Sequence, residues 1–155
     1  MYKKVLVPLD GSKLAECVLP HLETIAAGCN VQNIYFLRVV KPFYPVSDYM
    51  GDSISSVDVV SINKDAVTAA ESYLKQVTDK IKYTDIEVHR EVIRGNEAES
   101  ITDYAKNNEM DLIIIATHGR SGVSRWVWGS VADRVLRSSC VPVLMVRAPG
   151  CIPGV

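Results

Sequence analysis

What the sequence lacks first is a charge imbalance. Its 17 Lys and Arg stand against 18 Asp and Glu, a net charge of −1. That balance argues against a broad electrostatic footprint for nucleic acid or for an anionic membrane surface, while leaving room for one small anion pocket. Long apolar runs are missing too. The purest, Leu112-Ile113-Ile114-Ile115-Ala116, is far short of the roughly 20 residues a membrane-spanning helix needs. The opening Val5-Leu6-Val7-Pro8-Leu9 imitates a signal peptide, but Asp10 cuts it before the apolar core of about 7–15 residues can form. A first strand in a cytoplasmic protein is the expectation.

Cysteine is sparse and unpatterned. Cys17, Cys29, Cys140 and Cys151 form no Cys-x-x-Cys, so reduced, buried or incidental thiols are expected rather than a metal or redox site. Cys151 sits in a Pro/Gly tail and reads as exposed and oxidisable. His21, His89 and His118 make no ligand triplet, and no Ser-His-Asp arrangement follows from spacing. There is no internal repeat. The usual nucleotide fingerprints are absent as well: no G-x-x-x-x-G-K-[ST], and no G-x-G-x-x-G after the first strand.

What is present is a chain of 155 residues, 48% hydrophobic and 23% charged. This suits one domain with a sizeable core and excludes disorder. Residues 4–9 are β-branched and apolar, a first strand. The turn Asp10-Gly11-Ser12 follows, with Ser12 placed to cap a helix. That helix carries Ala15, Val18, Leu19, Leu22, Ile25 and Ala26 at helical spacing. Pro20 is expected to kink it and Gly28 to end it. Residues 33–40 form a second strand. Residues 41–62, with Pro42, Pro45, Gly51 and several serines, read as a long loop of mobile composition. A helix with the apolar stripe Ala66, Ala69, Ala70, Tyr73, Leu74, Val77 and Ile81 comes next; its charged face reads as solvated surface.

Residues 86–93 are a more polar strand, expected near a sheet edge. Asn96 and Glu99 resemble a capping box for a helix burying Ala98, Ile101 and Ala105. Residues 111–117 carry the continuous apolar run Leu112 to Ala116, as in a central parallel strand. A glycine-bearing loop leads to a fourth helix near Ser130, with Val131, Val135 and Leu136 inward. Residues 142–146 make a fifth strand, and residues 148–155 a tail. The alternation of strand and helix predicts an α/β fold with a parallel sheet covered on both faces.

Open α/β sheets bind ligands beyond the carboxyl ends of their strands. Two ends are chemically marked. The first strand delivers Pro8, Asp10, Gly11 and Ser12. The fourth delivers Ala116-Thr117-His118-Gly119-Arg120-Ser121-Gly122, and its loop closes at Gly129-Ser130. Glycines admit an anion close to the backbone, a helix N-terminus supplies unpaired N–H groups, and Arg120 and Arg125 add charge. The same segment also reads as a plain strand-to-helix connection. Trp126 and Trp128 read as packing anchors, and Ser121 and Ser124 as polar surface.

Three stretches resemble the universal stress protein family: Val5-Leu6-Val7-Pro8-Leu9-Asp10-Gly11-Ser12, the run from Thr117 to Gly122 with Gly129-Ser130-Val131-Ala132, and Cys140-Val141-Pro142-Val143-Leu144-Met145-Val146. The resemblance covers residues 1–147 in order. It implies a single domain with a doubly wound five-stranded sheet of order 3-2-1-4-5. It also implies an adenine nucleotide, ATP or ADP or AMP, with Mg or Mn on the triphosphate.

The nucleotide-binding branch carries G-x2-G-x9-G-[ST]. Gly119, Gly129 and Ser130 match, but Ala116 stands where the first glycine belongs. Weakened rather than abolished binding is expected; a glycine-only backbone angle there would cost on the order of 1 kcal/mol.

By the same resemblance Pro8, Leu9, Asp10, Val39, Ala116, Thr117, His118, Gly119, Arg120, Gly122, Gly129, Ser130 and Val131 line the site. The Val39 backbone would meet the adenine. Asp10 would lie at the ribose or help hold the metal, although it also reads as a turn residue capping the first helix. Gly119, Arg120, Gly129 and Ser130 would meet phosphates. A homodimer would form through Val143, Leu144, Met145 and Val146. A regulatory role in stress response is implied, with catalysis slow or absent. Two alternatives stay open: a dimeric interaction module that binds no nucleotide, and a slow ATP hydrolase.

Overall fold

The structure is a computed structural model that describes residues 1–44, 56–81, 83, 85–117 and 129–147. Five parallel strands are joined by helices. They are β1 (Lys4–Pro8), β2 (Asn33–Val40), β3 (Glu87–Arg94), β4 (Leu112–Ala116) and β5 (Val143–Val146). The helices are α1 (Leu19–Cys29), α2 (Ser56–Thr78), α3 (Glu97–Asn107) and α4 (Ser130–Ser138), with a 3-10 turn at Ala15–Val18 before α1. The sheet order is β3-β2-β1-β4-β5, the order expected.

Side-chain alternation along the strands divides the core in two. Val5, Val7, Ile34, Phe36 and Ile114 point to one face, under Leu22 and Ala26 of α1 and Leu74 and Val77 of α2. Leu6, Leu37, Val39, Ile113 and Ile115 point to the other, under Ala98, Ile101 and Ala105 of α3 and Ala132 and Val135 of α4. Burial on both faces explains why β1 and β4 read as unbroken apolar runs. β3 lies at the edge, which accounts for its polar sequence.

Several local expectations are corrected. Pro20 kinks nothing. The 3-10 turn ends at Val18, and Pro20 falls in the first turn of α1, where a helix has no N–H bond to lose. Gly28 does not end α1. The helix runs one residue further, and Asn30 adopts the left-handed cap at φ 55°, a conformation asparagine tolerates. Asn96 is the N-cap of α3 but makes no side-chain cap bond, so the capping box does not form.

α2 starts at Ser56, so the polar stretch ends before Ile62; its residues 45–55 lie outside the described residues. Leu136 is 46% exposed, because Ala132 and Val135 already occupy the inward positions of α4. Cys17 and Cys29 are half-buried and Cys140 exposed. Burial raises the Cys17 pKa, which keeps it a protonated, unreactive thiol. Cys151 lies outside the described residues.

The two-sided core makes a direct prediction. Ile114 is fully buried at the centre of the sheet, so Ile114→Ala should lower stability by about 2–5 kcal/mol, read as a shift of the urea midpoint with an unchanged slope.

Candidate functional site

The chain leaves β1 toward β2 on one side and reaches β4 on the other, so the switch point lies at the carboxyl end of β1. Pro8 opens the seam there. Even-numbered residues of β1 turn their backbone groups to β4, as Lys4 does in accepting from Asp111 N–H at 2.9 Å. Pro8 is the next of that parity after Leu6, and it has no N–H to donate. The β1–β4 pairing accordingly stops at Leu6↔Ile113, while β1–β2 continues to Pro8↔Leu37.

On the β2 side, Leu9 N–H donates to Leu37 C=O at 2.9 Å, and Gly95 N–H donates to Val40 C=O at 3.1 Å. Backbone direction alternates along a strand. Val39 therefore presents its N–H and C=O toward the line of β1, beyond the point where β1 has turned away.

The turn after β1 is framed by Asp10. Its Oδ1 accepts from Ser12 N–H at 2.9 Å and from Ser12 Oγ at 2.6 Å. Ser12 Oγ in turn accepts from Ala15 N–H at 3.1 Å, which tightens the turn. It caps neither helix, since Leu14 is the N-cap of the 3-10 turn and Val18 that of α1, both without a side-chain cap bond. Gly11 has φ +85°, a left-handed angle that favours glycine. Arg38 lies against it and donates from Nη1 to Leu9 C=O at 3.3 Å. Beside this group, burial pushes the Tyr73 hydroxyl pKa well up, and the carboxylates of Glu16 and Asp10 push it the same way.

The far wall is tied to the sheet. Thr117 N–H donates to Val146 C=O at 2.8 Å, and Gly129 N–H donates to Thr117 C=O at 2.6 Å. The first turn of α4 is thereby clamped against the ends of β4 and β5. Lys41 Nζ meets Glu97 Oε2 at 2.7 Å across the mouth, joining the end of β2 to the start of α3.

Between these walls is a cleft of about 450 Å³, within the range of small-molecule sites. Of the residues expected at the site, Pro8, Leu9, Asp10, Val39, Ala116, Thr117, Gly129, Ser130 and Val131 all line it. His118, Gly119, Arg120 and Gly122, together with Ser121, Ser124, Arg125, Trp126 and Trp128, lie outside the described residues. Ala116 closes β4 and is not among the residues of positive φ. No glycine-only angle is demanded there; its methyl occupies space and adds no strain.

Sequence reasoning missed Arg38, Lys41, Glu97 and Arg134, which also line the cleft. The available signal was a charged residue near the carboxyl end of an otherwise apolar strand, and acids at the start of a helix facing that end. Among the described residues no group of three or more His, Cys, Asp or Glu could hold a metal. Asp10 is a single carboxylate already accepting from Ser12, so a divalent ion would need its remaining ligands from phosphates and water. The apolar walls of Leu9, Val39 and Ile115 suit a flat ring, while Gly129 and Ser130 at the start of α4 suit an anion.

Residues 1–147 match the model of the Universal stress protein family. The chain is 31% identical over 151 residues to universal stress protein MJ0531 of Methanocaldococcus jannaschii, covering 96% of this chain and 84% of that protein. Its fold is similar to that of MJ0577 from the same organism, with TM-score 0.79, 22% identity, and 97% and 99% of the two chains covered. It is also similar to a universal stress protein in complex with cAMP, with TM-score 0.65, 21% identity, and 95% and 98% covered.

Proposed function

The chain belongs to the universal stress protein family, and from that membership we propose that it is a regulatory protein binding an adenine nucleotide, ATP or ADP or AMP, in this cleft. The carrying observation is the cleft at the switch point, with the Val39 backbone edge at one end and the start of α4 at the other. That edge offers one donor and one acceptor, which suits the hydrogen-bonding edge of adenine. Apolar Leu9 and Ile115 suit the ring faces. The phosphates run toward Gly129 and Ser130, and the family resemblance assigns His118, Gly119, Arg120 and Gly122 to the same ligand. The neighbour that holds cAMP supports the adenine class.

Mg or Mn would ride on the triphosphate, with Asp10 its nearest carboxylate. The cleft is suited to holding a ligand rather than to turnover, since its acids are already engaged: Asp10 with Ser12 and Glu97 with Lys41. No helix among the described residues is long and apolar enough to cross a membrane, and the working location proposed is the cytoplasm.

We also propose that two chains pair through β5. Val143, Leu144 and Met145 are half-buried on an edge strand, and such an edge is satisfied by a second strand. Val146 C=O is turned to β4, where it accepts from Thr117 N–H. By alternation, Val143 and Met145 turn their backbone groups outward.

Denatured protein should release adenine nucleotide identifiable by mass spectrometry, or the stripped protein should titrate ATP-Mg near one per chain in calorimetry. Gly129→Asp should weaken that binding by at least about tenfold through bulk and like charge, with little change in the melting temperature. Neither retained nor titratable nucleotide would leave the nucleotide-free interaction module as the reading. Met145→Pro removes an outward N–H without touching the β4 ladder, and should convert a dimer to a monomer in light scattering while the fold persists.

A further inference from the structure

We infer that Arg134 is a phosphate-counting residue, which sets how strongly the cleft prefers a polyphosphate over a monophosphate. This rests on the nucleotide reading of the same cleft. Three described cations line the cavity: Arg38, Lys41 and Arg134. Arg38 is committed to the Leu9 carbonyl at 3.3 Å, and Lys41 to Glu97 at 2.7 Å. Arg134 is held more loosely. Its Nη2 lies 3.8 Å from Glu99 Oε1, with both side chains more than half exposed.

Position decides what this cation faces. Ser130 and Arg134 are four residues apart on α4 and share a face. Helical side chains lean toward the helix N-terminus. Arg134 lines the same cavity as Ser130 and Gly129, so its guanidinium is within reach of the end at which the phosphates are proposed to lie. An exposed ion pair of this length contributes little. A phosphate oxygen can take the guanidinium from Glu99 at low cost and gains a charge-assisted, potentially two-pronged contact. Glu99 is thus a placeholder that competes with the ligand and keeps the cation at the mouth of the cleft. A nucleoside without phosphate has nothing to offer Arg134.

The test is a set of calorimetric titrations of adenosine, AMP, ATP and inorganic tripolyphosphate into wild type, Arg134→Gln and Glu99→Gln. Thermal melts of the unliganded proteins accompany them. Arg134→Gln should weaken ATP by about tenfold or more, AMP by less, and adenosine not at all. Glu99→Gln should tighten ATP by a few-fold and leave adenosine unchanged. Equal weakening of all three adenine ligands, or none, would overturn the inference and leave Arg134 as a tie between α3 and α4. The Glu99→Gln arm decides the matter if Arg134→Gln does not fold; ATP affinity unchanged or lowered there also overturns it.

The two readings fail separately. Tripolyphosphate binding that depends on Arg134, with adenosine contributing nothing to affinity, removes the nucleotide reading and keeps the cation's role. Adenine nucleotide binding indifferent to Arg134 does the reverse. Binding of neither adenine ligands nor tripolyphosphate removes both.

Discussion

Everything in this molecule is referred to the central strand. Val5, Leu6 and Val7 are fully buried, covered on both faces and paired on both sides. A strand in that position has no free backbone edge and no free face, so its neighbours' registers follow from its own. Its entry is fixed by Asp111, whose Oδ2 accepts from Lys3 and Lys4 N–H at 2.8 Å each. Its exit is fixed by Pro8, which cannot extend the ladder toward β4. Between those two points the strand is a rigid reference. Beyond them the chain divides and a crevice opens.

The candidate site is the physical consequence of that division. The backbone edge of Val39 faces the crevice because β1 ends sooner than β2. The start of α4 reaches it because Thr117 and Gly129 hold the helix to the ends of β4 and β5. Glycine is demanded at Gly11 by its φ, and Arg38 packs over that turn from the neighbouring strand. These features give the proposed ligand a rigid frame in which its orientation would be set. The cations around the rim differ in how firmly they are held, and that difference is where discrimination among related ligands can arise.

Much of this was legible in the residue order, and the misreadings have specific causes. β1 and β4 are plain, because burial on both faces demands continuous apolar sequence. The edge position of β3 was plain from its charge. Pro20 was misjudged because a 3-10 turn precedes α1 and moves the proline into the first helical turn, where its missing N–H costs nothing. Asn30 takes the cap role expected of Gly28 because the left-handed geometry falls two residues later. The start of α2 was hidden because its first turns lack a clear apolar stripe: Val60 and Ile62 are exposed. Among the residues that line the cleft, Pro8, Asp10, Ala116, Thr117, Gly129 and Ser130 are marked by the rule that ligands gather at carboxyl ends, and Leu9, Val39 and Val131 only by the family resemblance. Arg38, Lys41, Glu97 and Arg134 are marked by neither, since each is an ordinary charged residue until the sheet order sets it beside the others.

Sequence alone determined the class of fold, the identity of the buried strands and the turn chemistry of Asp10-Gly11-Ser12. These depend on interactions among residues a few positions apart, or on the demand that a two-sided strand be apolar. Tertiary structure alone decided that Lys41 meets Glu97 and that Arg134 meets Glu99. It alone decided that Val39 turns its backbone toward a gap and that Pro8 makes the gap. Those facts depend on which strands lie side by side, and that adjacency is set by packing the whole core rather than by any local pattern.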